Sequence, residues 1–403
     1  MTLPLILGQK LAGFASQCNS DEVCHEMTPT ADVIVVGAGI IGVTTALALI
    51  EHGARVTLVD MHGAGNSLGS SGGESRNIRA AYGDRHLYTR WAVTAWSRWQ
   101  QREAELGEPL LYACGSLRLL DSETLATQRA VFDRLGQPCE ALDGDEIAYR
   151  WPQIVMPGDY ILYEPRSGIL SAQRALTALA RLFAAKGGRI VKGRVAHPVA
   201  DAIAQIMVDG MPMAADRFVF ACGPWLPRLF PDLLDGWIKT PRREMFFIGP
   251  APGDARFDWC QCPNLVDPLG WTSSDIGGGV KIAPVIRHVV FDPDDGDRMP
   301  TPALRDQVRA YVAARLPGLV GRPVVGTHVA PLENSDNEHL ILDWHPRHAN
   351  VFIAGGGSGH AFKLGPVIGD HIAAQVGGAV PDPEMVAVFG LAAHGPVPPG
   401  KGG

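Results

Sequence analysis

The sequence lacks any apolar stretch of eighteen residues free of charged and turn residues, so nothing in it reads as a membrane-spanning helix. It lacks a surplus of positive charge. The 35 lysines and arginines face 42 acidic residues, and the net charge of −7 argues against nucleic acid or an anionic membrane as a partner. Cysteine is sparse: Cys18, Cys24, Cys114, Cys139, Cys222, Cys260 and Cys262 are odd in number and scattered, which excludes a disulfide scaffold and suits reduced thiols in a cytoplasmic protein. Cys260 and Cys262 are too close for zinc spacing and have no matching pair, and no carboxylate or cysteine completes a set with His339, His345, His348 and His360. No metal is expected. What the chain does have is 403 residues with 46% hydrophobic content, enough for two cored domains or one large one.

Glycine is placed with meaning. Asp32 to Val36 is an apolar, β-branched run that reads as a buried parallel strand. Gly37, Gly39 and Gly42 follow as G-x-G-x-x-G: a tight turn, a close approach to pyrophosphate, and close packing of the next helix on the strand. A helix is expected from Ile40 to Glu51, with Ile40 and Ile41 at the N-terminus whose N–H groups face phosphate, and Gly53 ends it. A second strand, Arg55 to Val59, finishes at Asp60, where a ribose hydroxyl needs an acceptor. This block binds a dinucleotide but does not separate NAD from FAD. A late glycine cluster, Gly355, Gly356, Gly357 and Gly359, follows the strand Val351 to Ala354 and precedes a helix expected from about Pro366. A second strand–turn–helix closing on the same site favours FAD.

Between these blocks, His86 to Gln101 reads as a helix whose Trp91, Trp96 and Trp99 serve a core. Leu110 to Leu120 and Tyr160 to Tyr163 read as strands of a second, more antiparallel layer, with a helix between them at Glu123 to Leu135. Ser171 to Lys186 is helical by its apolar spacing, and Arg189 to Val195 and Arg217 to Phe220 return as strands. On residue type alone, Arg76 and Arg79 are solvated loop arginines, and Lys281 in VKIAP is a solvent-facing lysine on an edge strand, because burying its ammonium is costly. LPLILG near the N-terminus has no cation before it and Lys10 after it, the wrong order for a secretory signal, and Met27 lies just before the first strand. Residues 1–30 and 387–403 are expected as flexible ends.

Several segments, in order, resemble the monomeric sarcosine oxidase and N-methyltryptophan oxidase family of D-amino-acid-oxidase-like flavoenzymes. They are SSGGESRNIRAAYG after the second strand, DGDEIAYRWPQI, YEPRSGIL, FACGPW, GGGVKIA and HLILDWHPRHANVFIAGGGSGHAFKLGPVIGD. The resemblance covers nearly all of residues 31–385. It implies an α/β fold: a Rossmann-like FAD-binding domain of the glutathione-reductase type, with an interleaved, mainly antiparallel-sheet substrate domain. The FAD-binding domain is expected over 31–108, 172–240 and 330–386, and the substrate domain over 109–171 and 241–329.

The resemblance also implies roles. Lys281 stands by the flavin ring, bonded through water to N5, and promotes reaction with O2. Arg76 lies over the flavin face. Arg79 and Lys363 grip the carboxylate of a small amine or amino-acid substrate. Ser70 and Ser71 join the cofactor site, Val195 lies near the adenine, Gly223 and Trp225 stand in a turn under the cofactor, and His360 either packs near the flavin or is a satisfied loop histidine. Five departures stand out. The position of the family's flavin-linking cysteine holds Ala330, so FAD is expected to be non-covalent; pocket histidines fall at Gly72 and Val285, one pocket tyrosine at Leu332, and another at Gly270 or Trp271. The substrate pocket is therefore less polar than that of a sarcosine oxidase. Three functions stay open: an oxidase releasing H2O2, a dehydrogenase with a quinone or protein acceptor, and a non-catalytic flavin-binding protein. Monomer and homodimer are equally open.

Overall fold

The computed structural model describes residues 31–198, 203–286 and 289–395. Expectations for residues 1–30 and 396–403 lie outside them. The strand Ala31–Val36 sits at the centre of a seven-stranded sheet and is buried along almost its whole length. Val56–Asp60 flanks it on one side, followed by Arg189–Lys192, and Met211–Phe220 on the other, followed by Val351–Gly355, all parallel. Ile341–Trp344 closes one edge antiparallel, and Gln205–Val208 pairs antiparallel with Met211–Phe220.

The helix Ile40–Glu51 begins and ends as its sequence directs. Beside it lies the helix Ala361–Val376, and glycine makes that closeness possible: a Cβ on Gly369 would stand 2.5 Å from the Thr44 backbone, and one on Gly365 would stand 2.5 Å from the Ile40 side chain. The two N-termini, each preceded by a glycine turn, thereby point into one space. The late helix starts at Ala361, not Pro366, which lies within its second turn. The carbonyl of Lys363 in the first turn accepts from Trp99 Nε1 at 2.8 Å.

Three other segments differ from expectation. The tryptophan helix runs on to Leu106, capped by Gly107 in the left-handed region. Arg102 supports the extra turn by gripping Glu51 with both its terminal nitrogens at 2.6 Å. The run 110–120 is not one strand. Leu111–Tyr112 joins Ser75–Ile78 and Gly168–Ser171 in a three-stranded sheet, while Ser116–Leu119 joins the large antiparallel one. Gly115 makes the break, at φ +78, where a Cβ would meet the Tyr163 ring at 2.7 Å. Residues 387–395 are not a frayed end either: the helix Pro383–Phe389 buries Phe389 against Tyr88 and Trp91.

The second large sheet has eight strands: Val324–Pro331, Arg242–Ile248, Val280–Pro284, Gly270–Ser273, Asn264–Asp267, Ser116–Leu119, Ile161–Glu164 and Glu140–Leu142. Its pairs are antiparallel except Asn264–Asp267 with Ser116–Leu119. Side chains alternate across it. Phe246, Ile248, Val280 and Ile282 pack on Val308, Tyr311 and Val312 of the helix Pro302–Arg315. The alternate residues Met245, Lys281, Ala283 and Ala330 occupy the opposite face, with Trp271 beside them. That face meets the three-stranded sheet, where Asn77 Nδ2 donates to Thr272 O at 2.8 Å and Lys281 Nζ to Ser75 O at 2.5 Å.

Candidate functional site

A cavity lies between the two glycine turns. Gly37 has φ +102, and a Cβ there would overlap the carbonyl of Ala221. One on Gly42 would overlap the carbonyl of Gly37, so the helix can approach the strand only with glycine here. The cavity is lined by Gly37, Gly39, Ile40, Ile41 and Asp60 on one side and by Val195, Gly223, Trp225, Gly357 and Gly359 on the other, with Ser70, Ser71 and Arg76 between. Thus thirteen of the residues expected to hold the cofactor line one cavity. Gly42, Gly356, His360 and Lys363 are not among its lining residues.

The loop is held open before any ligand arrives. Asp60 Oδ2 accepts from Ala38 N at 2.7 Å, while Oδ1 accepts from the N–H groups of His62 and Gly63 at 2.7 and 2.6 Å. Ser71 Oγ accepts from Ile40 N at 3.0 Å, so this helix N–H is engaged within the protein. Ser70 Oγ is buried with no partner among the described residues, although it lines the cavity. A hydroxyl so placed fits a polar ligand, and a glycine cradle with an adjacent carboxylate fits a dinucleotide.

Glu333 is a cavity residue that sequence reasoning missed. Its Oε1 accepts from Gly356 N at 2.7 Å, its carboxyl is buried, and burial pushes its pKa up to about 7. The signal was available: an acid directly follows the apolar run Val329–Leu332 just ahead of the late glycine cluster.

Cations gather in two groups. In the first, Arg76 donates to the carbonyls of Ser75 and Ser70 at 2.7 and 2.8 Å and also to that of Gly72, and its guanidinium stands 5.7 Å from the Phe362 ring. Burial lowers its pKa to about 10. Lys281 is 2% exposed, which overturns the solvent-facing reading drawn from residue type. Its ammonium lies 5.1 Å from the Trp271 ring, and burial, with Arg76 nearby, pulls its pKa well below the usual lysine value. His328, a second omission, is held neutral by burial and these cations, with its pKa lowered to about 4. Its ring crowds Gly73, and its Nε2 is buried without a partner among the described residues. Gly72, a family histidine position, has no room for a side chain, because a Cβ would overlap Asn66 O.

The second group surrounds Tyr82. The Arg79 guanidinium and the Lys363 ammonium each stand 5.2 Å from its ring centroid, so neither is a free loop cation. Lys363 is 5% exposed, and burial with Arg79 nearby lowers its pKa well below normal. Arg118 joins them: both Arg79 and Arg118 donate to Ala81 O. Glu164, 3% exposed, accepts from Ala80 N, and burial raises its pKa to about 7 despite these cations. His360 packs on Tyr82 and Tyr88, and burial, with Lys363 and Arg79 adding to it, lowers its pKa to about 2, so it is neutral. Three cations around one partly protonated carboxyl leave room for an anion.

The family model described as "FAD dependent oxidoreductase" (DAO) matches residues 32–375. The chain is 29% identical to monomeric sarcosine oxidase of Bacillus sp. (strain B-0618), over 85% of this chain and 91% of that one. It is 31% identical to human peroxisomal sarcosine oxidase, over 84% and 90%. In fold it is similar to L-proline dehydrogenase from P. horikoshii, with a TM-score of 0.78 and 19% identity over 89% of this chain and 96% of that one. Among the described residues no group of three or more His, Cys, Asp or Glu side chains could hold a metal, and no helix is long and apolar enough to cross a membrane.

Proposed function

Because the chain belongs to the DAO family of FAD-dependent oxidoreductases, and is a sarcosine-oxidase-like enzyme acting on CH–NH bonds, we propose that its substrate is a secondary amine bearing a carboxylate, such as an N-methyl amino acid. FAD bound in the cavity would take the hydride at ring nitrogen N5 and pass the electrons to O2, giving H2O2, while the imine product hydrolyses in water. The observation that carries this reading is the convergence of Arg79 and Lys363 on Tyr82 with Lys363 almost fully buried.

The protein's own groups do the rest. Of the residues lining the cavity, Gly37, Gly39 and the helix N-terminus at Ile41 would cradle the pyrophosphate, Asp60 and Ser70 would meet hydroxyls, Val195 would lie by the adenine, and Gly223, Trp225, Gly357 and Gly359 would enclose the remainder. Arg79 offers its fork to the substrate carboxylate and Lys363 a point charge, and the two together orient the amine. Arg76 lines the cavity, and Lys281, held by Ser75 O, would stand with it beside the cofactor, where groups already in place would stabilise a developing anion. FAD would be held without a covalent bond, because Ala330, 1% exposed, stands where the resemblance expects the linking cysteine. The free thiols among the described residues fit a cytoplasmic enzyme.

Anaerobic mixing with N-methyl amino acids tests the proposal. The yellow spectrum should bleach, and oxygen should restore it with one H2O2 per turnover. A flavin that no such amine bleaches refutes it. One observation favours a quinone or protein acceptor instead of O2: the Lys281 ammonium is already engaged by Ser75 O. Bleaching without peroxide would establish that alternative. Acid precipitation should leave the yellow colour in solution.

A further inference from the structure

Among the described residues two carboxyl groups stand in the cavity wall, those of Asp60 and Glu333. Asp60 has both oxygens taken up by the N–H groups of Ala38, His62 and Gly63. Glu333 is placed differently. It lies between the strands Val324–Pro331 and Asn334–Ser335 and is 6% exposed. Its main-chain carbonyl accepts from Ser358 N at 2.6 Å and its Oε1 from Gly356 N at 2.7 Å, so backbone and side chain are both fixed on the late glycine turn. Oε2 lies over the carboxyl ends of two neighbouring parallel strands: it stands 3.8 Å from where a Cβ on Gly223 would be and 3.5 Å from where one on Gly357 would be. Both glycines line the cavity, and with no side chain there neither covers that oxygen.

Glu333 makes no ion pair among the described residues, and the cations of the adjoining elements are engaged elsewhere. Lys363, on the helix after the turn, faces Tyr82, and Lys239, on the strand paired with Asn334–Ser335, holds Asp336 at 3.2 Å. His360 packs on Tyr82 and Tyr88. The titratable neighbour is Cys222, whose thiol is pushed up by burial, with Asp60 and Glu333 adding to it. The N–H groups of Gly356 and Gly357 favour the carboxylate of Glu333, yet burial outweighs them and lifts it to about 7.

We propose that Glu333 binds the cofactor as a neutral acid: the proton on its carboxyl is donated in a hydrogen bond to an acceptor oxygen of bound FAD, and uptake of FAD carries one proton from solvent with it. This rests on FAD filling the cavity, and not on which amine is oxidised or which acceptor follows. FAD brings its two phosphate charges into the same cavity, and a buried carboxylate without a counter-charge beside them is costly. The neutral acid removes that repulsion. It also supplies a donor on a wall where the N–H groups of Ile40 and Gly356 are already taken, by Ser71 Oγ and by Glu333 itself. Bound FAD therefore strengthens the hold of Glu333 on its proton, and by linkage FAD is held less tightly as pH rises through the range where the ligand-free protein loses that proton.

The test dilutes the purified holoenzyme from pH 6 to pH 8.5 and reads the Kd for FAD from the fluorescence of the flavin released. In the wild type, Kd should rise by roughly tenfold or more across that range, with log Kd climbing toward one unit per pH unit, the mark of one proton. Glu333→Gln keeps a donor and cannot ionise, so its Kd should stay flat and near the wild-type value at pH 6. Glu333→Ala should bind FAD more weakly than Glu333→Gln, again with a flat profile; a merely structural role would lower affinity without removing the slope. His62 lines the same cavity and is the rival source of a slope near neutral pH. His62→Gln should keep the wild-type slope, which decides the matter even if neither Glu333 variant folds. A flat wild-type profile, a slope that survives in Glu333→Gln, or one that disappears in His62→Gln overturns the assignment. None of these bears on the oxidase reading, which fails separately if no N-methyl amino acid bleaches the flavin.

Discussion

The carboxyl of Glu333 accepts a hydrogen bond from the N–H of Gly356 at 2.7 Å, fastening the end of the large antiparallel sheet to the late glycine turn. Burial raises its pKa from 4.5 to about 7. The folded protein therefore keeps this proton over a range where the unfolded chain has lost it. Stability from the protonated group is fully present below pH 4.5, falls as pH rises from 4.5 to 7, and stays reduced above that. Glu333→Gln should leave the apoprotein as stable as the wild type near pH 4.5 and more stable at pH 8, by at most about 3 kcal/mol. Urea unfolding at the two pH values measures this. A difference that does not change with pH contradicts the account.

Lys281→Met removes a buried cation without removing volume. Reoxidation of the reduced enzyme by O2 should slow by about 10²- to 10³-fold, and reduction by substrate by much less. Stopped-flow measurement of each half-reaction separates the two. Equal slowing of both would assign Lys281 to cofactor or substrate placement instead.

Arg79→Met and Lys363→Met should each lower kcat/KM for an N-methyl amino acid by about 10- to 100-fold. The double variant should lose less than the product, because both act on one carboxylate. An amine without a carboxylate should be nearly indifferent to either change. Strict multiplicativity, or equal loss with the uncharged amine, would show that the pair is structural.

Gly42→Ala places a methyl group against the carbonyl of Gly37. The helix must then shift from the strand, and the purified protein should be colourless or lose FAD on gel filtration. Gly53→Ala meets nothing within 4 Å, although its φ of +87 strains it. It should keep its colour and lose about 1 kcal/mol of stability. If Gly42→Ala is as yellow as the wild type, close helix packing is not what the third glycine serves.

Some of this was legible at once. The stretch from Ala31 to Asp60 carries strand, turn, helix and strand in signals that act over a few residues, and its elements fall where read. A proline usually marks a helix start or break, so the sequence alone sets the late helix too far along, whereas Pro366 lies inside the helix Ala361–Val376. The run 110–120 was read as one strand because Gly115 gives no hint from sequence of the Tyr163 ring that forces the bend.

By itself, the order of residues determined the dinucleotide cradle: only glycine satisfies a positive φ at Gly37 and a missing Cβ at Gly42, and such constraints are local. Tertiary structure alone decided that Lys281 is buried, that Arg79, Lys363 and Arg118 gather around Glu164, and that Glu333 faces the cavity. Those facts depend on which strands pair, and in what register, across more than a hundred residues of chain. Alternation within one strand says which residues share a face, but not what that face will meet.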